Sequence, residues 1–492
     1  MSILPPDSLH GFTVYMIGVK GTGMAVLAEF LVAHGAIVSG SDVPDEFYTD
    51  RILKRAGVPV RAGFDAGNVP PEVDVVVYSA AYDPQTHVEL VAARERGLPI
   101  FTYPEMLGEL SRRCKSIGIS GVHGKTTTTM MVAAMVRELS LPGSVIAGGA
   151  STAADAPASV VQGDRFFVAE TCEWRRHFLS FSPSVLVVTS VEADHLDYFK
   201  DGADVEDAFV EYAQRLPQSG EVLFCADDPG ASHVARRVAE TRGDIRLVPY
   251  GFSAAGEGRL SDLRSSDGRV MFRSGETDLE LHVPGEHNVL NAAAAALVTR
   301  RLATEFGGPS ATRRDIEGAI RMALGRFTGS RRRSEVIGRK AGTIVLDDYA
   351  HHPTAIRATL EGFRQFYTGR RLIVDFMSHT YSRTRALAEQ FGEALSVADV
   401  VILHDIYASA RETNPGGIDG AILVGPTAAA AKRRGHACEV HYEADVMSAV
   451  PFVRSIVKSG DLFVTMGAGD NWRIGRALLG QLGEDEETEV VR

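Results

Sequence analysis

"SIGISGVHGKTTTTMM", residues 116–131, runs a short apolar stretch into three glycines, a lysine and four consecutive threonines. The order predicts a strand, a tight turn and the start of a helix. Such a junction gathers backbone N–H groups and the positive end of a helix dipole at one point, which suits the oxygens of a polyphosphate. Gly121, His123 and Gly124 form the turn, Lys125 adds a point charge, and Thr126 or Thr127 offers a hydroxyl to Mg²⁺. The strict phosphate-loop spacing is not met, because its first glycine would fall on Ile119. An ordinary strand–turn–helix accounts for the glycines, but seldom for Gly-Lys-Thr-Thr-Thr at a helix mouth. The stretch therefore predicts a nucleotide site on an α/β fold.

A nucleoside triphosphate needs groups for its metal, and two clusters follow downstream. Glu170 and Glu173 lie at and just past the end of the run FFVA, and Asp194, His195 and Asp197 follow SVLVVTS. Strand ends of an open sheet deliver residues to the ligand crevice. Mg²⁺ takes oxygen ligands and keeps several waters, so one or two protein groups suffice, with His195 the less ordinary donor. Either cluster alone reads equally well as surface charge after a strand; with the loop, they imply ATP held through magnesium. In PGEHNVLN, residues 284–291, His287, Asn288 and Asn291 stand at a turn entering an alanine-rich helix, where adenine contact and plain capping by Asn288 both fit.

Upstream, GVKGTGM at 18–24 is a second glycine loop, spaced as Gly18, Gly21 and Gly23 and unlike the standard dinucleotide fingerprint. It suits the diphosphate of any nucleotide, and Asp42 after the next strand could accept from ribose hydroxyls. Valine- and isoleucine-rich runs such as FTVYMIGV and EVDVVVYSAA alternate with helical patterns, and a third unit repeats that logic from GTIVLDDYA to DLFVTMG. A chain of 492 residues exceeds what one core organises. Three domains are expected: a Rossmann-like one at 1–114, a central P-loop ATPase-type one at 115–331, ending near the RRR run, and a second Rossmann-like one at 332–492.

Composition narrows the class. Apolar residues at 45% and charged residues at 23% fit a globular chain with ample core. A net charge of −12 argues against a broad nucleic-acid surface. Cys114, Cys172, Cys225 and Cys438 are scattered, with no C-x-x-C pair, which favours a reducing compartment. No leader pattern or long apolar run stands out, so no membrane partner and a cytoplasmic location are expected. The acidic stretch 484–489 reads as a solvated end.

At this point the motifs match a family. GVHGKTTTT closely resembles the ATP loop of the Mur ligases, which add amino acids to the peptidoglycan precursor and whose loop departs from the strict pattern in the same way. AETCEWRRHFL (169–179), VEADHLDYF (191–199), PGEHNVLNAAAAA (284–296), GRFTGSRRR (325–333), DDYAHHPTAI (347–356), HTYSRT (379–384) and MGAGDNW (466–472) follow in the family's order. The resemblance implies ATP and Mg²⁺ as cofactors, with Lys125 on the β- and γ-phosphates and Thr126, Glu173 and His195 on metal. It sets His287, Asn288 and Asn291 near adenine, Arg326 near the terminal phosphate, and Asp348, with His352 behind it, closing the site. His379, Arg383 and Thr384 would position the amino acid and the acceptor end of a UDP-sugar. The first glycine loop, with Met24 and Asp42, would hold that UDP-sugar, and Ser79 would lie near its diphosphate. Ser190 stands where the family usually has asparagine, and Met377-Ser378 where Gln-Pro is common. CEWRRHFL and the first loop look most like the members that join L-alanine to UDP-N-acetylmuramate; members that recycle a murein tripeptide share DDYAHHPTAI. A nicotinamide-dependent oxidoreductase and a nucleotide-hydrolysing switch are the rivals from other classes, and the third unit argues against both. The molecule is expected to be a monomer or homodimer.

Overall fold

The computed structural model describes residues 3–5, 8–149, 159–195, 198–266, 268–308, 312–408, 414 and 416–483. Asp197 and the acidic stretch 484–489 lie outside the described residues.

The first unit is an all-parallel sheet of β1 (Thr13–Ile17), β2 (Ile37–Asp42), β3 (Val60–Ala62), β4 (Val75–Tyr78) and β5 (Ile100–Thr102), in the order β3-β2-β1-β4-β5. Val75, Val76 and Val77 are buried whichever face they point to, as parallel strands covered on both sides require. Strand order reverses between β1 and β4, and the glycine loop after β1 sits at that switch point.

The central unit contains β6 (Lys115–Ser120), β7 (Ser144–Ile146), β8 (Ser159–Val161), β9 (Phe166–Glu170), β10 (Val185–Val188), β11 (Glu221–Cys225) and β12 (Arg246–Tyr250), ordered β12-β11-β10-β6-β9-β7-β8. β6 runs parallel to both β10 and β9, so the loops after these three strands leave the same edge. That register is why residues 121–125, 171–173 and 189–195 meet. An antiparallel meander, β13 (Leu260–Ser266), β14 (Arg269–Ser274) and β15 (Thr277–Leu281), fills the polar stretch after it. The alanine-rich helix then spans Glu286–Phe306 with Gly285 as its N-cap. Asn288 is therefore inside the first turn, where its amide donates to the Pro284 carbonyl at 2.7 Å, and does not cap it.

The third unit has β16 (Glu335–Lys340), β17 (Thr343–Asp348), β18 (Leu372–Met377), β19 (Val400–Leu403), β20 (Glu439–Tyr442) and β21 (Leu462–Gly467), ordered β16-β17-β21-β18-β19-β20, with only β16 antiparallel.

The packing divides the chain unequally. One apolar cluster runs from Leu4 through both the first and the central unit, whereas the third sheet has separate clusters on its two faces. The helix Thr22–Ala33 explains the continuity. It is buried from Met24 to Leu31, because it lies between its own sheet and β8, where Glu29 accepts the Ser159 amide at 3.0 Å and pairs with Arg55. The third unit touches the central one at a close backbone approach, where a Cβ on Gly362 would stand 2.7 Å from the Gly285 Cα, and through Phe366, which enters the shared cluster. No helix among the described residues is long and apolar enough to cross a membrane.

Candidate active site

The loop after β6 is shaped by what its glycines lack. Gly121 has φ +135° and a Cβ there would come 2.0 Å from Thr189 Oγ1; Gly124 has φ +83° and its Cβ would come 2.4 Å from Asn291 Oδ1. Both conformation and space demand glycine. Ser190 supports the loop from β10: its carbonyl accepts the Val122 amide and its hydroxyl accepts the His123 amide, each at 2.9 Å. Lys125 then opens a fourteen-residue helix, Lys125–Glu138. Thr127 is 8% exposed, while Thr128 reaches the Asn291 amide oxygen at 3.2 Å.

Lys125 Nζ lies 2.8 Å from Glu173 Oε2 and also donates to the carbonyls of Gly121 and Val122. Burial opposes the charge on Lys125, but the Glu173 carboxylate outweighs it and raises the ammonium's pKa. Burial likewise opposes the charge on Glu173, which Lys125 and then His195 hold below the ordinary carboxylate range. His195 Nε2 stands 3.5 Å from Glu173 Oε1. Three non-glycine residues here have left-handed backbone: Arg175 and Arg176 at φ +50° and +57°, and His195 at φ +52°. Strain of this kind persists where surrounding contacts fix it, and it clusters at functional sites. Glu173 and His195 are thus brought to one place beside Lys125, whose chain neighbour Thr126 opens the same helix.

At the other glycine loop, Gly18 (φ +76°) leaves room for the Tyr82 ring and the Ser79 side chain, whose atoms would lie 2.6 and 3.0 Å from a Cβ. Gly23 makes the same allowance for Tyr103 at 2.9 Å, and Gly21 donates its amide to the Gly18 carbonyl. Asp42 does not offer a free carboxylate to a ribose: it accepts the amides of Lys20 at 2.6 Å and Val43 at 2.8 Å, and so shapes the loop. Met24 is 3% exposed and its side chain belongs to the apolar cluster, which leaves only its backbone for a ligand. A cavity of about 110 Å³, lined by Gly23, Tyr103, Gly148, Glu170 and Cys172, joins this loop to the central unit.

The third unit supplies the remaining charges. Arg383 pairs with Asp194 of the central unit and reaches His379 Nδ1 at 3.4 Å. Burial works against Asp194, but Arg383 holds it well below the usual carboxylate range. His351 also faces this pair and is kept neutral, first by burial and then by Arg383. Asp348 accepts the amides of Ser334 and Ala350, each at 2.7 Å, and faces Arg333, while burial pushes its carboxyl up. His352 turns away from Asp348 toward Glu192 and His123, with 5.4 Å between the two imidazole centroids.

Several expected positions fall elsewhere. Arg326 ends the helix Arg313–Gly325, has a side chain 70% exposed, and faces Glu138 at the far end of the Lys125–Glu138 helix from the phosphate loop. The arginines that do reach the junction are Arg332, bound to Asp347 at 3.0 Å, and Arg333, whose charge acts on both Asp348 and His287. Thr384 is fully buried, its hydroxyl closing on the Thr380 carbonyl at 2.7 Å, and so faces no substrate. Asn288 and Asn291 are buried beneath the phosphate loop and joined to each other at 3.3 Å, which makes them supports of the loop instead of groups open to adenine. His287 stays half-buried, and burial, then His123 and Arg333, bring its pKa down to about 4. Sequence reasoning passed over Glu192, His351, Arg333, Tyr82 and Tyr103 as site residues, although the motifs VEADHLDYF and DDYAHHPTAI and the RRR run contain the first three.

Two glycine loops at strand-order reversals, a lysine on a buried glutamate, and a third sheet reaching in with arginine and histidine define a nucleotide-dependent ligase built from three units. Family models match in that order: "Mur ligase family, catalytic domain" over residues 13–115, "Mur ligase middle domain" over 119–299 and "Mur ligase, glutamate ligase domain" over 332–469. The chain belongs to the Mur ligase family. Among its relatives, the UDP-N-acetylmuramate--L-alanine ligase of Treponema pallidum is 48% identical over 98% of each chain. That of Desulfitobacterium hafniense is 38% identical over 95% of this chain and 99% of its own. Of solved structures, the UDP-N-acetylmuramate-alanine ligase of Thermotoga maritima superposes with a TM-score of 0.74 at 25% identity, over 95% of this chain and 98% of that one. A murein peptide ligase from Psychrobacter arcticus, 22% identical with a TM-score of 0.63 over 96% and 100%, shares the fold.

Proposed function

We propose that this chain joins L-alanine to the lactyl carboxylate of UDP-N-acetylmuramate, with cleavage of ATP to ADP and phosphate, as a cytoplasmic step in making the peptidoglycan precursor. The observation that carries the reading is the meeting of Lys125, Glu173 and His195 at the edge where the Arg383–Asp194 pair brings the third unit in.

A carboxylate does not react with an amine in water, because its oxygen is a poor leaving group. Attack of a lactyl carboxylate oxygen on the γ-phosphorus breaks the bond to ADP and gives an acyl phosphate. The amine of L-alanine then adds to the acyl carbon, loses a proton, and phosphate departs from the tetrahedral intermediate. Both steps build negative charge on oxygen, so catalysis rests on positioning and positive charge, with no covalent protein nucleophile. The backbone amides of residues 121–125 and the Lys125 ammonium would hold the phosphates. Glu173, His195 and Thr126 fit Mg²⁺, since an ionised, buried carboxylate stands beside an imidazole; the ion would supply charge to the phosphate oxygens. Arg333, whose charge acts on His287 and Asp348, would complete the nucleotide pocket from the junction of the second and third units. Closure by the third unit keeps water from the acyl phosphate.

The test follows ADP release with UDP-N-acetylmuramate, Mg²⁺ and either free L-alanine or the tripeptide L-alanyl-γ-D-glutamyl-meso-diaminopimelate. Turnover with alanine is expected. Turnover with the tripeptide alone would assign the recycling reaction, and ADP release that ignores both amines would remove the ligase reading.

A further inference from the structure

We propose that His123, Glu192 and His352 form a transition-metal site of the zinc class, separate from the Glu173–His195 pair, that clasps the phosphate loop to the third unit. One ligand atom from each of the three lies within 4.8 Å of the others. Glu192 Oε1 is hydrogen-bonded to His123 Nε2 and lies 3.4 Å from His352 Nδ1. The other carboxylate oxygen accepts the Thr354 hydroxyl at 2.8 Å, which fixes the plane of the carboxylate. Such outer contacts orient metal ligands.

The second observation is independent of that spacing. His352 is 6% exposed, and its Nδ1 is buried without a hydrogen-bond partner. Leaving a buried polar nitrogen unpaired is unfavourable, and a cation at this point would give it a partner. Burial, opposed by Glu192, keeps the His352 imidazole neutral, the form that binds metal. Two imidazoles and one carboxylate make a three-ligand set with a fourth position open, which suits Zn²⁺ and its neighbours in the affinity order, whereas Mg²⁺ prefers oxygen donors. Tetrahedral donors stand about 3.3 Å apart around zinc, so His123 and Glu192, now directly hydrogen-bonded, must separate by under ~1 Å while His123 and His352 draw together. His123 belongs to the phosphate loop and His352 caps the third-unit helix Pro353–Phe366, so an ion here bridges two units.

Cobalt(II) is the probe, titrated into the full-length chain without nucleotide and in excess Mg²⁺. Four-coordinate absorption bands saturating at one equivalent, and their displacement by Zn²⁺, are expected. His352→Ala and Glu192→Gln should each weaken cobalt binding at least tenfold while circular dichroism shows the chain folded, and Glu173→Gln should leave the bands in place. Bands lost in Glu173→Gln but kept in both other variants would assign the cobalt to the Glu173–His195 pair and overturn the proposal, as would a wild-type chain that shows none. Magnesium-supported ligation, measured in parallel, judges the activity separately.

Discussion

Lys125 and Glu173 hold each other in place: an ammonium 12% exposed against a carboxylate 1% exposed. Removing one partner leaves a buried charge, at a cost of about 3–5 kcal/mol, so stability and chemistry must be read apart. Lys125→Ala is expected to lower kcat by at least ~10³, while calorimetry should find affinity for UDP-N-acetylmuramate within about twofold of wild type, since the glycine loop proposed to hold that ligand lies on another sheet. The arginines give a sharper contrast. Arg333→Ala should reduce kcat by ~10² or more, and Arg326→Ala, which alters only an exposed pair with Glu138, should change it by less than twofold; comparable losses in both would refute the placement. The motif GRFTGSRRR contains four arginines within nine residues. Which of them turns toward the nucleotide depends on where the helix Arg313–Gly325 ends and the chain bends, and spacing alone does not encode that.

Among the elements, the strand–turn–helix at 115–138 was legible because every determinant is local: an apolar run, glycines where φ is positive, and a lysine at the helix mouth. Partners from distant strands were not. Glu192 meets Thr354, and Asp194 meets Arg383, only through the order of two sheets. The helix Thr22–Ala33 hides its surroundings for a related reason: its polar Glu29 reads as a solvent-facing residue, and β8 in fact covers it. Within the third sheet, His404 on the chain after β19 is buried against Asp375 of β18 at 2.7 Å. Burial opposes its charge, but Asp375 prevails and raises it to about 9. The folded state therefore binds this proton more tightly than the unfolded chain, whose value lies near 6.5. The stabilisation is complete below pH 6.5 and fades as pH rises through about 9. Thermal melts should show the wild type losing more stability than His404→Gln across that window; parallel curves would refute the assignment.

Across the whole molecule, the first unit shares an apolar cluster with the centre, whereas the third unit, among the described residues, adds only Phe366 and Tyr367 to that cluster and meets the centre through polar pairs as well. Asp194→Asn should loosen the third unit: scattering should give a larger radius of gyration, and more ADP should be released per amide formed as water reaches the acyl phosphate. Unchanged coupling would show that closure does not depend on this pair. The shared apolar cluster also bears on biosynthesis. Residues of β1 and of the Glu286–Phe306 helix belong to one buried mass, so the flank of the first unit that meets the centre stays bare until roughly three hundred residues have left the ribosome, although its other face packs within itself. Truncated nascent chains should accordingly engage holdase chaperones up to that length, whereas the carboxy-terminal sheet, with oil of its own on both sides, can settle as soon as its last strand emerges.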